Sequence, residues 1–132
     1  MIHRNTLATL AAAAAALATA GAQAASNDVT MVKLATNAGC MTCHQIEPGG
    51  KGPDGLPPIG PAWRAVSAKY QGQKDATSKL TQTVLSGSNP YDSHWKGKVS
   101  GLAMPPNAVA IKEADAKQLV KWILALEARK KS

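Results

Sequence analysis

The chain holds two cysteines, separated by two residues and followed at once by a histidine: Cys40-Met41-Thr42-Cys43-His44. Three chemistries use such residues. A redox dithiol needs no histidine after the second thiol and accompanies an α/β pattern that is absent here. A zinc site needs two more ligands at metal spacing, and downstream His94 stands alone with no further cysteine. Covalent haem attachment uses all three residues, each thiol adding to a vinyl group while the imidazole binds iron. Two intervening residues place both sulfurs on one helical turn facing the porphyrin edge, and the next residue brings its imidazole under the iron.

A second axial ligand would decide what such an iron can do. Of the four methionines, Met1 falls in the leader, Met41 is confined to the attachment turn, and Met31 precedes it on the same predicted helix. Met104 remains, within Met104-Pro105-Pro106-Asn107, where two prolines lock extended backbone directly after the sulfur. His94 is a competing distal ligand, and a plain core role for Met104 is the simpler alternative.

Helices must position these residues. Punctuation and periodicity predict a first helix from Val29 to Ala38 with Asp28 as N-cap, and a second from Ala62 to Tyr70 ended by Gly72. A third runs from Ala76 to Ser86 with Gly87 at its end, and a last from Lys112 to Arg129. In the last helix Ala116, Leu119, Ile123 and Leu126 form an apolar stripe, and Trp122 reads as core. Residues 88–109 form a loop that returns Met104 to the iron. No window alternates long enough for a strand, so the fold is all-α, three to five helices around one haem. With no Phe and only five Trp and Tyr, apolar material is scarce, and the haem supplies part of the core.

Residues 1–24 read as a secretory signal, with Arg4 as basic start, the Ala-rich run Leu7–Ala20 and a small-residue cleavage site ending at Ala24. That run is too short to span a bilayer of ~30 Å hydrocarbon, and no second long apolar run follows. Cleavage removes Arg4 and no acidic residue, so a formal charge of +7 becomes +6 on residues 25–132, read as one domain. The lysines are scattered, with Arg129-Lys130-Lys131 the one run, which points less to nucleic acid than to acidic protein surfaces or anionic headgroups.

The chain resembles the short bacterial periplasmic class I monohaem cytochromes c, electron donors to terminal oxidases and nitrite reductases. The likeness is carried by Gly39–His44 (GCMTCH), Gly60–Tyr70 (GPAWRAVSAKY), Leu80 to Gly87-Ser88, Trp95, Met104–Val109 (MPPNAV) and Ala116–Leu124 (AKQLVKWIL). It implies one haem c on Cys40 and Cys43, with His44 and Met104 as iron ligands. It also implies that the Pro61 carbonyl accepts from the other His44 ring nitrogen, that the Trp95 indole N–H meets a haem propionate, and that Asn107 hydrogen-bonds near the Met104 sulfur. For Trp95 the alternative is an aromatic covering the haem edge, and for Asn107 a plain turn residue.

Three departures from the resemblance stand out. A Gly/Pro-rich insertion occupies Glu47–Ile59, either an inert surface loop or a partner-recognition element, with the inert reading preferred because exposed loops tolerate insertion. Thr83 stands where relatives carry a propionate-binding arginine, and lengthening at Ala110–Ala114 removes a clear cap from the last helix. An iron with two protein ligands leaves no position for substrate, so the expected function is one-electron transfer by a monomeric periplasmic carrier, not an enzyme. The alternatives are a haem subunit of a larger complex, such as a thiosulfate-oxidising one, and a haem enzyme or sensor with a labile distal ligand.

Overall fold

The computed structural model describes residues 26–127; the expected leader and the run Arg129-Lys130-Lys131 lie outside the described residues. Four helices follow in order: α1 over residues 26–37, α2 Trp63–Tyr70, α3 Ala76–Ser86 and α4 Glu113–Leu124. Short 3₁₀ turns form at Cys40–Thr42 and Pro53–Gly55, and no strand occurs among the described residues. The chain divides into two units, one ending at Lys33 and one beginning at Leu34. In the first, residues 26–33 are helical, and the Thr30 hydroxyl donates to the Ser26 carbonyl at 2.9 Å. Asp28, expected to cap α1, lies inside the helix, which is already formed at residue 26. All the expected site residues belong to the second unit.

There α2 and α3 both pack on α4. The apolar stripe of α4 is buried at Ala116, Leu119, Ile123 and Leu126, and Val120 and Trp122 widen it. Burying each larger member of that stripe contributes about 1.5–3 kcal/mol. Glu113 and Asp115 sit in the first turn of α4 and Lys121 in its last, which complements the helix dipole in place of a side-chain cap. α4 runs to Leu124, with a turn at Ala125 and helical backbone again at residues 126–127; the expected end at Arg129 lies outside the described residues.

Two polar side chains tie the start of α2 to the end of α4. Ser67, buried, donates to the Leu124 carbonyl at 2.7 Å and accepts from the Glu127 amide at 3.2 Å. Arg64 donates through Nη1 to the Leu126 carbonyl and through Nε to Glu47, both at 2.6 Å. Trp63 meets Trp122 edge-on, ring centres 5.7 Å apart. The base of the fold is therefore fixed at the residue that lies beneath His44.

Candidate haem site

The attachment turn is set by Gly39, whose φ of 75° lets the chain leave α1 and enter the 3₁₀ turn Cys40–Thr42. The backbone then closes on Cys40, whose carbonyl accepts from the Cys43 amide at 3.3 Å and the His44 amide at 3.1 Å. No disulfide joins the two thiols. Burial pushes the Cys40 thiol up, a backbone hydrogen bond opposes the rise, and the neighbouring Cys43 adds to it. A redox dithiol needs the opposite shift, toward thiolate. Among the described residues no group of His, Cys, Asp and Glu side chains is arranged to hold a bare metal ion.

His44 is held on three sides. Its Nδ1–H donates to the Pro61 carbonyl at 2.8 Å, which leaves Nε2 as the nitrogen with a free lone pair. Its ring stacks on Trp63 at 5.9 Å and 23°. A Cβ on Gly60 would stand 2.8 Å from the His44 Cε1 and 3.1 Å from the Cys43 carbonyl, so only glycine allows the imidazole to lie there. Burial pulls the His44 pKa below its ordinary value, against the pull of the Pro61 carbonyl. Gly60 and Trp63 carry no chemistry of their own and went unassigned in the sequence; the one signal for Gly60 was its place in a Gly-Pro pair before α2.

Met104 comes from the long loop and is clamped at the end of α3. Its amide donates to Ser88 Oγ at 2.8 Å, and its carbonyl accepts from the Ser88 amide at 3.0 Å. Gly87, with φ of 84°, makes room, since a Cβ there would lie 2.9 Å from the Met104 carbonyl oxygen and 3.1 Å from the Pro106 nitrogen. Asn107 acts on this same seam. Its backbone N–H donates to the Val84 carbonyl at 3.1 Å, and its side-chain amide donates to the carbonyls of Val84 at 3.3 Å and Pro105 at 2.6 Å. These bonds pin the loop around Met104 to α3. Ser88 is a third residue that the sequence left unassigned.

His44, Met104, Trp95 and Cys43 line one cleft of about 330 Å³, whose walls come from α2, α3 and α4 through Val66, Val84 and Ile123 among others. The cleft is mainly apolar, suited to a flat macrocycle, and it presents an imidazole, a thioether and a thiol. Trp95 is half-buried at this cleft. The Thr83 hydroxyl, by contrast, is spent on the Lys79 carbonyl at 3.0 Å, while Lys79 itself reaches the cleft one turn earlier. His94 also lines the cleft but is exposed, and its Nε2 accepts from Lys98 Nζ at 3.2 Å. These residues fit a covalently held haem.

An all-α fold with such a cleft behind a Cys-x-x-Cys-His turn defines a haem-carrying electron-transfer protein. The cytochrome c family model matches residues 31–127, and the chain belongs to that family. It is 36% identical over 115 residues to cytochrome c-552 of Nitrosomonas europaea, covering 87% of this chain and 91% of that one. It is 35% identical over 92 residues to cytochrome c-551 of Pseudomonas aeruginosa, covering 70% and 72% respectively. Among solved structures, wild-type Nitrosomonas europaea cytochrome c552 superposes with a TM-score of 0.55 at 35% identity, over 72% of this chain and 98% of that one. The class 1 cytochrome MtoD of Sideroxydans lithotrophicus ES-1 gives 0.52 at 30% identity, over 75% and 96%. The fold is the class I monohaem cytochrome c fold, the cofactor is covalent haem c, and members of the family are redox carriers rather than enzymes. No helix among the described residues is long and apolar enough to cross a membrane.

Proposed function

We propose that this protein is a periplasmic one-electron carrier whose haem is bound by Cys40 and Cys43 and whose iron is ligated by His44 and Met104. The reading is carried by one observation: His44 and Met104 line the same cleft, and each is hydrogen-bonded to a different segment, His44 to the Pro61 carbonyl and Met104 to Ser88. When bound, the haem supplies a single iron that cycles between ferrous and ferric states. A thioether ligand and an apolar wall both favour the ferrous form and raise the potential. The protein's part is to keep its two ligand segments in place in both states, so that little reorganises when the charge changes. His94 is the weaker axial candidate because its Nε2 lone pair is occupied by the Lys98 ammonium.

Residues 1–24 act in this reading as the export signal, and residues 25–132 as one functional domain acting as a monomer. The net charge of +6 left after cleavage suits an acidic-surfaced redox partner of the kind presented by a terminal oxidase or nitrite reductase. The test is a pair of variants followed by optical spectra and carbon monoxide binding. Met104→Ala should lose the sulfur-to-ferric-iron absorption, bind carbon monoxide readily when reduced, and have a much lower potential. His94→Ala should do none of these, and the reverse pattern would make His94 the ligand.

A further inference from the structure

The segment 47–59 reads from sequence as an insertion, yet its last residues make bonds that a passive surface loop does not need. Pro58 and Ile59 accept through their carbonyls from the amides of Ser100 and Gly101, each at 3.0 Å. The approach is close: a Cβ on Gly101 would stand 2.5 Å from the Ile59 carbonyl oxygen and 3.2 Å from its Cγ2. The next two residues turn to the histidine. Gly60 donates its amide to the Cys43 carbonyl at 2.7 Å, and Pro61 accepts from His44 Nδ1 at 2.8 Å. Four consecutive residues therefore hold the His44 turn with one half and the approach to Met104 with the other.

The rest of the loop stiffens this grip. Gly52 donates to the Leu56 carbonyl at 2.9 Å and Leu56 to the Pro53 carbonyl at 3.1 Å, so the tip is closed on itself. Pro57, Pro58 and Pro61 each fix one backbone dihedral and leave the connecting chain few alternatives. On the other side, Met104 is already clamped by Ser88, so the stretch from Gly101 to Met104 is held at both ends.

From this we infer that Pro58–Pro61 is a positioning strut for the distal ligand, tying the methionine loop to the haem-attachment turn, so that the 47–59 segment belongs to the ligand cage. The inference rests on Met104 being the second axial ligand. Releasing the Gly101 end would let the sulfur leave the iron more often without touching Met104 itself.

The experiment uses the haem-loaded protein. Gly101→Ala forces the two backbones apart; the loss of two hydrogen bonds should raise the population open to carbon monoxide by about tenfold or more. The ferric form should lose sulfur-to-iron absorption in proportion. Val29→Ala, exposed and outside this segment, should leave both readouts unchanged. In the unsubstituted holoprotein, amide exchange at Ser100 and Gly101 should be slower than at exposed Leu102, a measurement that stands even if the variant fails to mature. Equal exchange at the three amides, or Gly101→Ala with full absorption and no gain in carbon monoxide binding, would overturn the strut while leaving the ligand assignment intact. An unsubstituted protein without the sulfur-to-iron absorption would overturn the ligand assignment, and the strut with it.

Discussion

Replacing Ser88 by Ala tests whether Met104, the proposed distal ligand, is held by the backbone seam at the end of α3. The side chain does one thing in the structure, accepting from the Met104 amide at 2.8 Å. The alanine variant keeps the Ser88 amide bond to the Met104 carbonyl and removes only the hydroxyl. A partly buried N–H is then left without a partner, which costs about 1–3 kcal/mol. Met104 is half-buried, so water can recover some of this and the lower end of the range applies. At about 1.4 kcal/mol per factor of ten, the equilibrium between bound and released sulfur shifts by roughly fivefold to tenfold. Carbon monoxide binding to the reduced variant should increase by that factor. The thermal midpoint should fall, since each kcal/mol moves a domain of about 100 residues by roughly 4–8 °C. Ser88→Thr retains the hydroxyl and should restore both readouts. A Ser88→Ala protein with unchanged carbon monoxide binding and an unchanged midpoint would refute the reasoning, because the bond would then contribute nothing that solvent does not replace.

Two further outcomes are expected. Gly60→Ala should destabilise the holoprotein by about 1–3 kcal/mol, because its Cβ must displace either the His44 ring or the Cys43 carbonyl; a melting curve and the NMR signal of the His44 Nδ1 proton check this, and no change in either would sink it. Electron transfer to an acidic acceptor should slow steeply as salt rises, since exposed charges farther apart than about 8 Å are screened at physiological ionic strength. Lys98 lies 5.9 Å from the centre of the Trp95 ring, at the cleft. Neutralising Lys96 and Lys98 should therefore flatten the salt dependence in stopped-flow rates more than neutralising Lys130 and Lys131, and a rate indifferent to salt would mean apolar docking.

What the sequence made legible follows the kind of signal each element carries. The limits of α3 read correctly because a helix with a glycine at its end is specified locally, and Gly87 does adopt a positive φ, 84°, that favours glycine. The α4 stripe read correctly because burial repeats with the helical period, although Val120, between two stripe positions, is as buried as Leu119. Asp28 misled because a capping residue type says nothing about where the helix actually starts. The bonds from Pro58 and Ile59 to Ser100 and Gly101 were invisible for a deeper reason. They join main-chain atoms some forty residues apart, and a main-chain donor or acceptor leaves no mark in residue type. Only the glycines at 60 and 101 hinted at close approach, and a glycine does not name what approaches it. Asn107 shows the converse, a side chain whose type was noticed and whose partners proved to be the carbonyls of Val84 and Pro105.

The same geometry explains how a chain without Phe sustains a fold of this kind. Val66, Val120 and Ile123 are buried against the helices and also form the wall of the cleft that receives the cofactor. Trp63 likewise serves two purposes, packing edge-on against Trp122 in the core and flat against the His44 ring at the site. Core and site therefore share side chains, and a change that loosens one loosens the other. Residues that carry no charge and no ligand atom, Gly60, Gly87, Ser88 and Gly101, then decide how firmly His44 and Met104 are held. In a protein whose task is to change oxidation state without changing shape, that firmness is the functional property, and it is built mainly from backbone contacts.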